Sequence, residues 1–248
     1  MAKIPALVTA MAEVDGRERK TVEHIARTIR ERGYIPTGKR GGGAAEMTPR
    51  EAANLLIALN GADTPQDAPI AIDRFRSLRP YFAGHANDFR KQVETFEGGI
   101  KPIQDLGRVN TFGEALEVLI EDVPELVEAF RSYAHEAHND LTPDVIDKNL
   151  FSMIKLHLFG LLINFERYAA KIEFFSMYGM TRRVEFEMKF VHDPDRFQSG
   201  FYGSSWPDRK IVVSIGAPTL IAIWQALNPG KSLPCIPDRA GTDEAEDE

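Results

Sequence analysis

The chain has 248 residues, long enough for one large domain or two small ones whose cores need no covalent staples. Hydrophobic residues at 43% and charged residues at 27% describe an ordinary globular composition and exclude wholesale disorder. Thirty Lys and Arg against thirty-seven Asp and Glu give −7, which excludes a protein that coats nucleic acid by bulk charge, and the single cysteine, Cys235, excludes an internal disulfide framework.

Ile4, Leu7, Val8 and Met11 recur at helical spacing, with Glu13 and Asp15 following, so the start reads as an amphipathic helix and not a signal peptide. No run approaches the roughly 18–20 apolar residues that span a bilayer, and a cytoplasmic, membrane-free protein is expected. Thr21 then reads as the cap of a second helix over 21–32, with Val22, Ile25, Ala26 and Ile29 as its apolar stripe and Gly33 as its stop. Thr48-Pro49-Arg50-Glu51 is a complete start signal for a third helix: a capping threonine, a proline at the first position and a glutamate closing the box. Ala52 to Leu59 are apolar on nearly every side, as a central helix requires.

A connection over 62–69 precedes a fourth helix over 70–78, and a further helix is expected at 86–96 within an interrupted stretch. Thr111-Phe112-Gly113-Glu114 opens another helix, restarted at Pro124 and running to about His138. Residues 150–163 read equally as strand or as buried helix. Lys171 to Phe175 is β-rich, and Val184 to Phe190 alternates apolar and charged residues strictly, predicting a strand with one buried face. Arg209–Ile215 reads as a strand and Thr219–Leu227 as a helix. Strands with helices before and after, without a βαβ rhythm, predict an α+β fold with a mainly antiparallel sheet.

The expected organisation is a helical, helix-turn-helix-like unit over 1–80, an irregular connection over 81–110, an α+β unit over 111–230 and an acidic tail over 231–248. Charge follows the same division. Residues 1–50 hold ten Lys/Arg against six Asp/Glu, a balance of +4 that leaves −11 for the rest, and 238–248 alone carries −5.

The basic head holds the candidate site. Lys20, Arg27 and Arg30 lie off the apolar stripe of the second helix, together with Arg32 and near His24, which suits a helix entering a major groove. Lys39 and Arg40 follow in a loop whose glycines, Gly38, Gly41, Gly42 and Gly43, would let the backbone approach phosphates closely. Against this stand Glu23 and Glu31 on the same surface and a 15–20 connector longer than a standard helix-turn-helix turn. Gly33 to Lys39 has P-loop spacing, but Arg40 replaces the magnesium-binding hydroxyl and a helix precedes it where a strand is required.

No catalytic constellation emerges. His135-Glu136-Ala137-His138 is one residue short of a zincin motif and lacks a third ligand, so it reads as a solvated helix end. Cys235, between Pro234 and Ile236, is poorly placed for a nucleophile, and Gly200 to Pro207 reads as a turn-rich loop. No metal and no cofactor are expected.

Gly33 to Leu59, with Gly38-Lys39-Arg40-Gly41-Gly42-Gly43 and Thr48-Pro49-Arg50-Glu51 within it, resembles a segment of proteobacterial phage and prophage proteins of unassigned function. Those proteins also tend to carry a Thr-Leu-rich helix near the end, as in Thr219-Leu220-Ile221-Ala222-Ile223. The resemblance implies a phage-linked setting and brings no catalytic residues. The leading expectation is a DNA-binding regulator of double-stranded DNA, with the C-terminal unit pairing subunits, holding an effector or binding a protein. The alternative is an adaptor or inhibitor that docks on a protein through its acidic C-terminal portion.

Overall fold

The computed structural model describes residues 3–37, 46–81, 101–166, 168–178, 181–194 and 212–238. Four helices come first: α1 (Ile4–Asp15), α2 (Arg19–Glu31), α3 (Pro49–Gly61) and α4 (Ala68–Arg76). A short strand, β1 (Arg79–Tyr81), precedes α5 (Lys101–Leu106), α6 (Phe112–Glu121), α7 (Val123–Ala137) and α8 (Pro143–Lys155). Strands β2 (Phe159–Glu166), β3 (Ala169–Tyr178), β4 (Thr181–Val191) and β5 (Val212–Gly216) follow, and α9 (Ala217–Leu227) closes the series. The sheet is antiparallel throughout, in the order β1-β4-β3-β2-β5, so the chain is α+β as the sequence predicts. Among the described residues no helix is long and apolar enough to cross a membrane.

Local signals place most helices. Thr48 and Glu51 form the full capping box of α3, with Pro49 at its first position. Thr111 accepts from the Glu114 backbone N–H at 3.2 Å, while the Glu114 carboxylate reaches back to the Asn110 N–H at 2.7 Å. Pro124 sits in the first turn of α7 and makes it a new helix instead of a continuation of α6. Ala52 to Asn60 are buried without a break, which makes α3 the central helix of the N-terminal group.

Several boundaries differ from expectation for identifiable reasons. α2 starts at Arg19 and not behind Thr21, because Gly16 adopts a left-handed turn (φ 68°) that ends the connector after three residues. The ambiguous 150–163 stretch divides: α8 runs to Lys155, His157 breaks the chain in a left-handed conformation (φ 55°), and β2 begins at Phe159. The alternation of 184–190 is interrupted. Phe174 pairs with Phe186 but Phe175 with Val184, so Glu185 is the extra residue of a β-bulge that turns Val184 outward, leaving it 45% exposed. The expected helix at 86–96, residues 209–211 of the β5 segment, the loop at 200–207 and the tail from 239 onward lie outside the described residues.

One sheet face is apolar. Phe159, Leu161, Ile163 and Phe165 of β2 align with Ile172 and Phe174 of β3 and with Phe186, Met188 and Phe190 of β4, all buried. Helices α4, α6 and α7 cover it through aromatic contacts. Phe75 lies 5.3 Å from Phe165 and 6.3 Å from Phe112, and Phe112 lies 5.3 Å from Phe190 (ring centroids). Phe130 of α7 reaches Phe159 and Phe174, each at 6.0 Å. With α1 packed against α9, the helices of 1–80 share one continuous apolar core with the 111–230 segment, from Leu7 to Ile236.

Gly61, the last residue of α3, makes room for this arrangement. A Cβ there would stand 2.6 and 2.7 Å from two Phe75 ring carbons, and Phe75 is 2% exposed. Gly61→Ala should destabilise the fold by about 1–3 kcal/mol despite alanine's better helix propensity. Urea denaturation reads this directly, and an unchanged midpoint would show that the Phe75 ring is free to shift.

Candidate nucleic-acid interface

The connector between α1 and α2 is only Gly16-Arg17-Glu18. Its central residue is clamped: the Arg17 guanidinium donates to the Leu59 carbonyl in the last turn of α3, and its Nε lies 2.6 Å from the Asp15 carboxylate. A cation at that point also complements the negative end of the α3 dipole. The expected long connector is therefore corrected to a tight, glycine-containing turn of helix-turn-helix length.

From this turn α2 buries Val22, Ile25, Ala26 and Ile29 and shows its other side to solvent. Lys20, His24 and Arg27 occupy positions i, i+4 and i+7 of that side and are exposed, and Arg30 is half-buried beside them. Arg19 is paired with Glu23 at 2.9 Å, whereas Lys20, Arg27 and Arg30 form no ion pair among the described residues. Lys20 and Arg27 are two helical turns apart, about 10 Å along the axis. Glu31 remains at the far end of the same surface.

The far end of α2 is equally well fixed. The Gly33 N–H donates to the Arg30 carbonyl at 3.0 Å and the Tyr34 N–H to the Ile29 carbonyl at 3.0 Å, a Schellman closure with Gly33 left-handed at φ 83°. Gly33 thus ends a helix instead of opening a phosphate loop. Beyond it the Tyr34 hydroxyl donates to Asp73 at 2.6 Å, and the Asn54 amide donates to the Tyr34 carbonyl at 2.9 Å. Arg76 completes the chain of contacts, donating to the Asn54 side-chain oxygen at 2.9 Å and to the Glu117 carboxylate. Ile35 is buried, which fixes the backbone beyond the end of α2. Gly38, Lys39, Arg40, Gly41, Gly42 and Gly43 themselves lie outside the described residues.

The other motifs resolve into structural contacts. His135 Nε2 lies 2.8 Å from Asp147, which also takes two Arg131 hydrogen bonds at 2.7 and 2.8 Å, tying α7 to α8. Arg131 first, and His135 second, hold the Asp147 carboxyl well below the usual range. No cluster of three metal-ligating side chains exists among the described residues. Burial pushes the Cys235 thiol up, the wrong direction for a nucleophile.

Sequence reasoning missed a charged network on the second sheet face. Glu173, 5% exposed, takes Lys171 at 2.9 Å, Arg182 at 3.2 Å and the Asn164 amide at 2.7 Å. Ser214 donates to Asn164 at 2.5 Å, and Lys171 also reaches Glu187 at 3.3 Å. Burial alone would raise the Glu173 carboxyl, but Lys171, Arg182 and Asn164 outweigh it and hold it below its ordinary value. The alternation of Lys171 and Glu173 against Ile172 and Phe174 signals that the two charges share a sheet face, though not that Glu173 is buried there.

No protein-family model, no curated protein and no solved structure matches this chain.

Burial, and then the Asp73 hydrogen bond, push the Tyr34 hydroxyl up to about 12. A raised folded-state value means that the contact stabilises fully below roughly pH 10, the ordinary tyrosine value, and is lost as pH climbs through about 12. Spectrophotometric titration should show one late-ionising tyrosine that Tyr34→Phe removes. An unaltered titration curve in that variant would refute the assignment.

Proposed function

We propose that the chain binds double-stranded DNA through α2, with the cations Lys20, Arg27 and Arg30 contacting phosphates, and that it serves as a regulator in a phage-linked setting. The observation that carries this reading is that Lys20 and Arg27, exposed, and Arg30, half-buried beside them, form no ion pair among the described residues, while neighbouring Arg19 is paired with Glu23. The three-residue turn with left-handed Gly16 supports it, because it gives α1 and α2 the connection of a helix-turn-helix pair. In sequence, Lys39 and Arg40 extend the same basic stretch beyond the Schellman closure of α2.

Few cations imply few phosphate contacts and so a shallow salt dependence. Each neutralised phosphate contributes about 0.9 to the slope of log affinity against log salt on duplex DNA. Fluorescence anisotropy with a labelled duplex of about 20–30 base pairs, between roughly 50 and 200 mM salt, gives that slope. Lys20→Ala, Arg27→Ala and Arg30→Ala combined should lower it by about 2–3, and Lys39→Ala with Arg40→Ala should lower it further. A wild-type chain with no salt-sensitive binding, or a triple variant identical to wild type, would refute the proposal.

A further inference from the structure

A cleft of about 790 Å³ opens at one end of the sheet, on the face opposite the aromatic core. Its size falls within that of small-molecule sites, which combine an apolar floor with a few convergent polar groups. The floor is Leu162, Phe175 and Met177, an apolar patch on the face that also carries Lys171 and Glu173. Phe175 lies opposite Gly160 across the β2–β3 ladder, and its ring carbons come within 3.8 Å of where a Cβ would stand.

Two polar side chains are held beside this floor. The Arg182 guanidinium stacks 4.5 Å over the Phe175 ring and spends one N–H on Glu173 at 3.2 Å. Glu173 takes only that one N–H, so Arg182 retains further donors for a ligand. Asp15, the one carboxylate lining the cleft among the described residues, has its Oδ2 2.6 Å from the Arg17 Nε in an ion pair without hydrogen-bond geometry.

The second polar group is His157, whose backbone breaks a local rule. It follows α8 in the left-handed conformation, with the Leu158 N–H closing onto the Met153 carbonyl at 3.2 Å. Glycine is the usual residue at such a position because a Cβ there is strained. The chain keeps an imidazole instead, its ring 6.3 Å from Phe175 and its Cε1 3.3 Å from the Cβ position of Gly216. Retained strain of this kind concentrates at sites where the side chain has a use.

We propose that this cleft binds a small organic acid, its carboxylate held by Arg182 and His157 and its apolar body lying against Leu162, Met177 and Phe175. The proposal stands independently of DNA binding, and its test contains no DNA. Calorimetric titration of the full chain with benzoate, hexanoate and indole-3-acetate should give saturable binding for at least one. The corresponding neutral amide should bind about tenfold more weakly or worse.

Arg182→Gln should abolish the preference for the acid, and Arg182→Lys should restore part of it if the glutamine variant folds poorly. His157→Gly should raise the thermal midpoint of the free chain, by relieving the backbone, yet weaken the carboxylate about tenfold. A purely structural histidine would give the first effect without the second. Three acids that fail to saturate at millimolar concentration, equal affinity for acid and amide, or an unaffected Arg182→Gln variant would each overturn the proposal.

Discussion

The contact on which the architecture rests is the meeting of Phe75, Phe112, Phe165 and Phe190. Each ring comes from a different element: α4, α6, β2 and β4. All four are at most 2% exposed. Edge-to-face and tilted aromatic pairs contribute about 0.5–1.5 kcal/mol each beyond the area they bury. The cluster therefore fixes the helices to the sheet by geometry as well as by hydrophobic burial. It also joins two stretches that the amino-acid pattern separates, since Phe75 precedes the interrupted 79–110 segment and the other three rings follow it.

The two sheet faces hold together by different physics. The helix-covered face depends on apolar contact and tolerates little change in volume. The opposite face buries Glu173 among Lys171, Arg182 and Asn164, so its cohesion depends on every partner being present. Removing one cation there would leave a buried carboxylate undercompensated. The β-bulge at Glu185 separates the regimes along β4: beyond it Phe186, Met188 and Phe190 face the helices, and before it Val184 stands in solvent.

What was legible in the sequence was whatever is determined within a few residues. Thr48 to Glu51, Thr111 to Glu114 and Gly33 each announce a cap, and each performs that cap in the fold. Thr142-Pro143 carries the same kind of signal for α8, with Ile146, Leu150, Met153 and Ile154 as its stripe, but the expected breaker was missing. His157 takes the left-handed position that glycine usually marks. The bulge and the burial of Glu173 were illegible for another reason, because both depend on which residues of separate strands stand opposite one another. Of the candidate site, the placement of Lys20, Arg27 and Arg30 off the buried stripe of α2 was legible from helical periodicity. The shortness of the turn before them was not, since it depends on the backbone of Gly16 and the clamp on Arg17.

That short turn has a mechanical consequence. Three residues reach at most about 10 Å, so the end of α1 and the start of α2 have almost no slack between them. Val14 and Asp15, the last residues of α1, form part of the wall of the cleft on the sheet. A displacement of that wall by as little as an ångström would be absorbed by nothing flexible before Arg19. The other end of α2 is pinned as well, by the Schellman closure at Gly33 and the Tyr34–Asp73 contact, so α2 meets that displacement as a rod held at both ends.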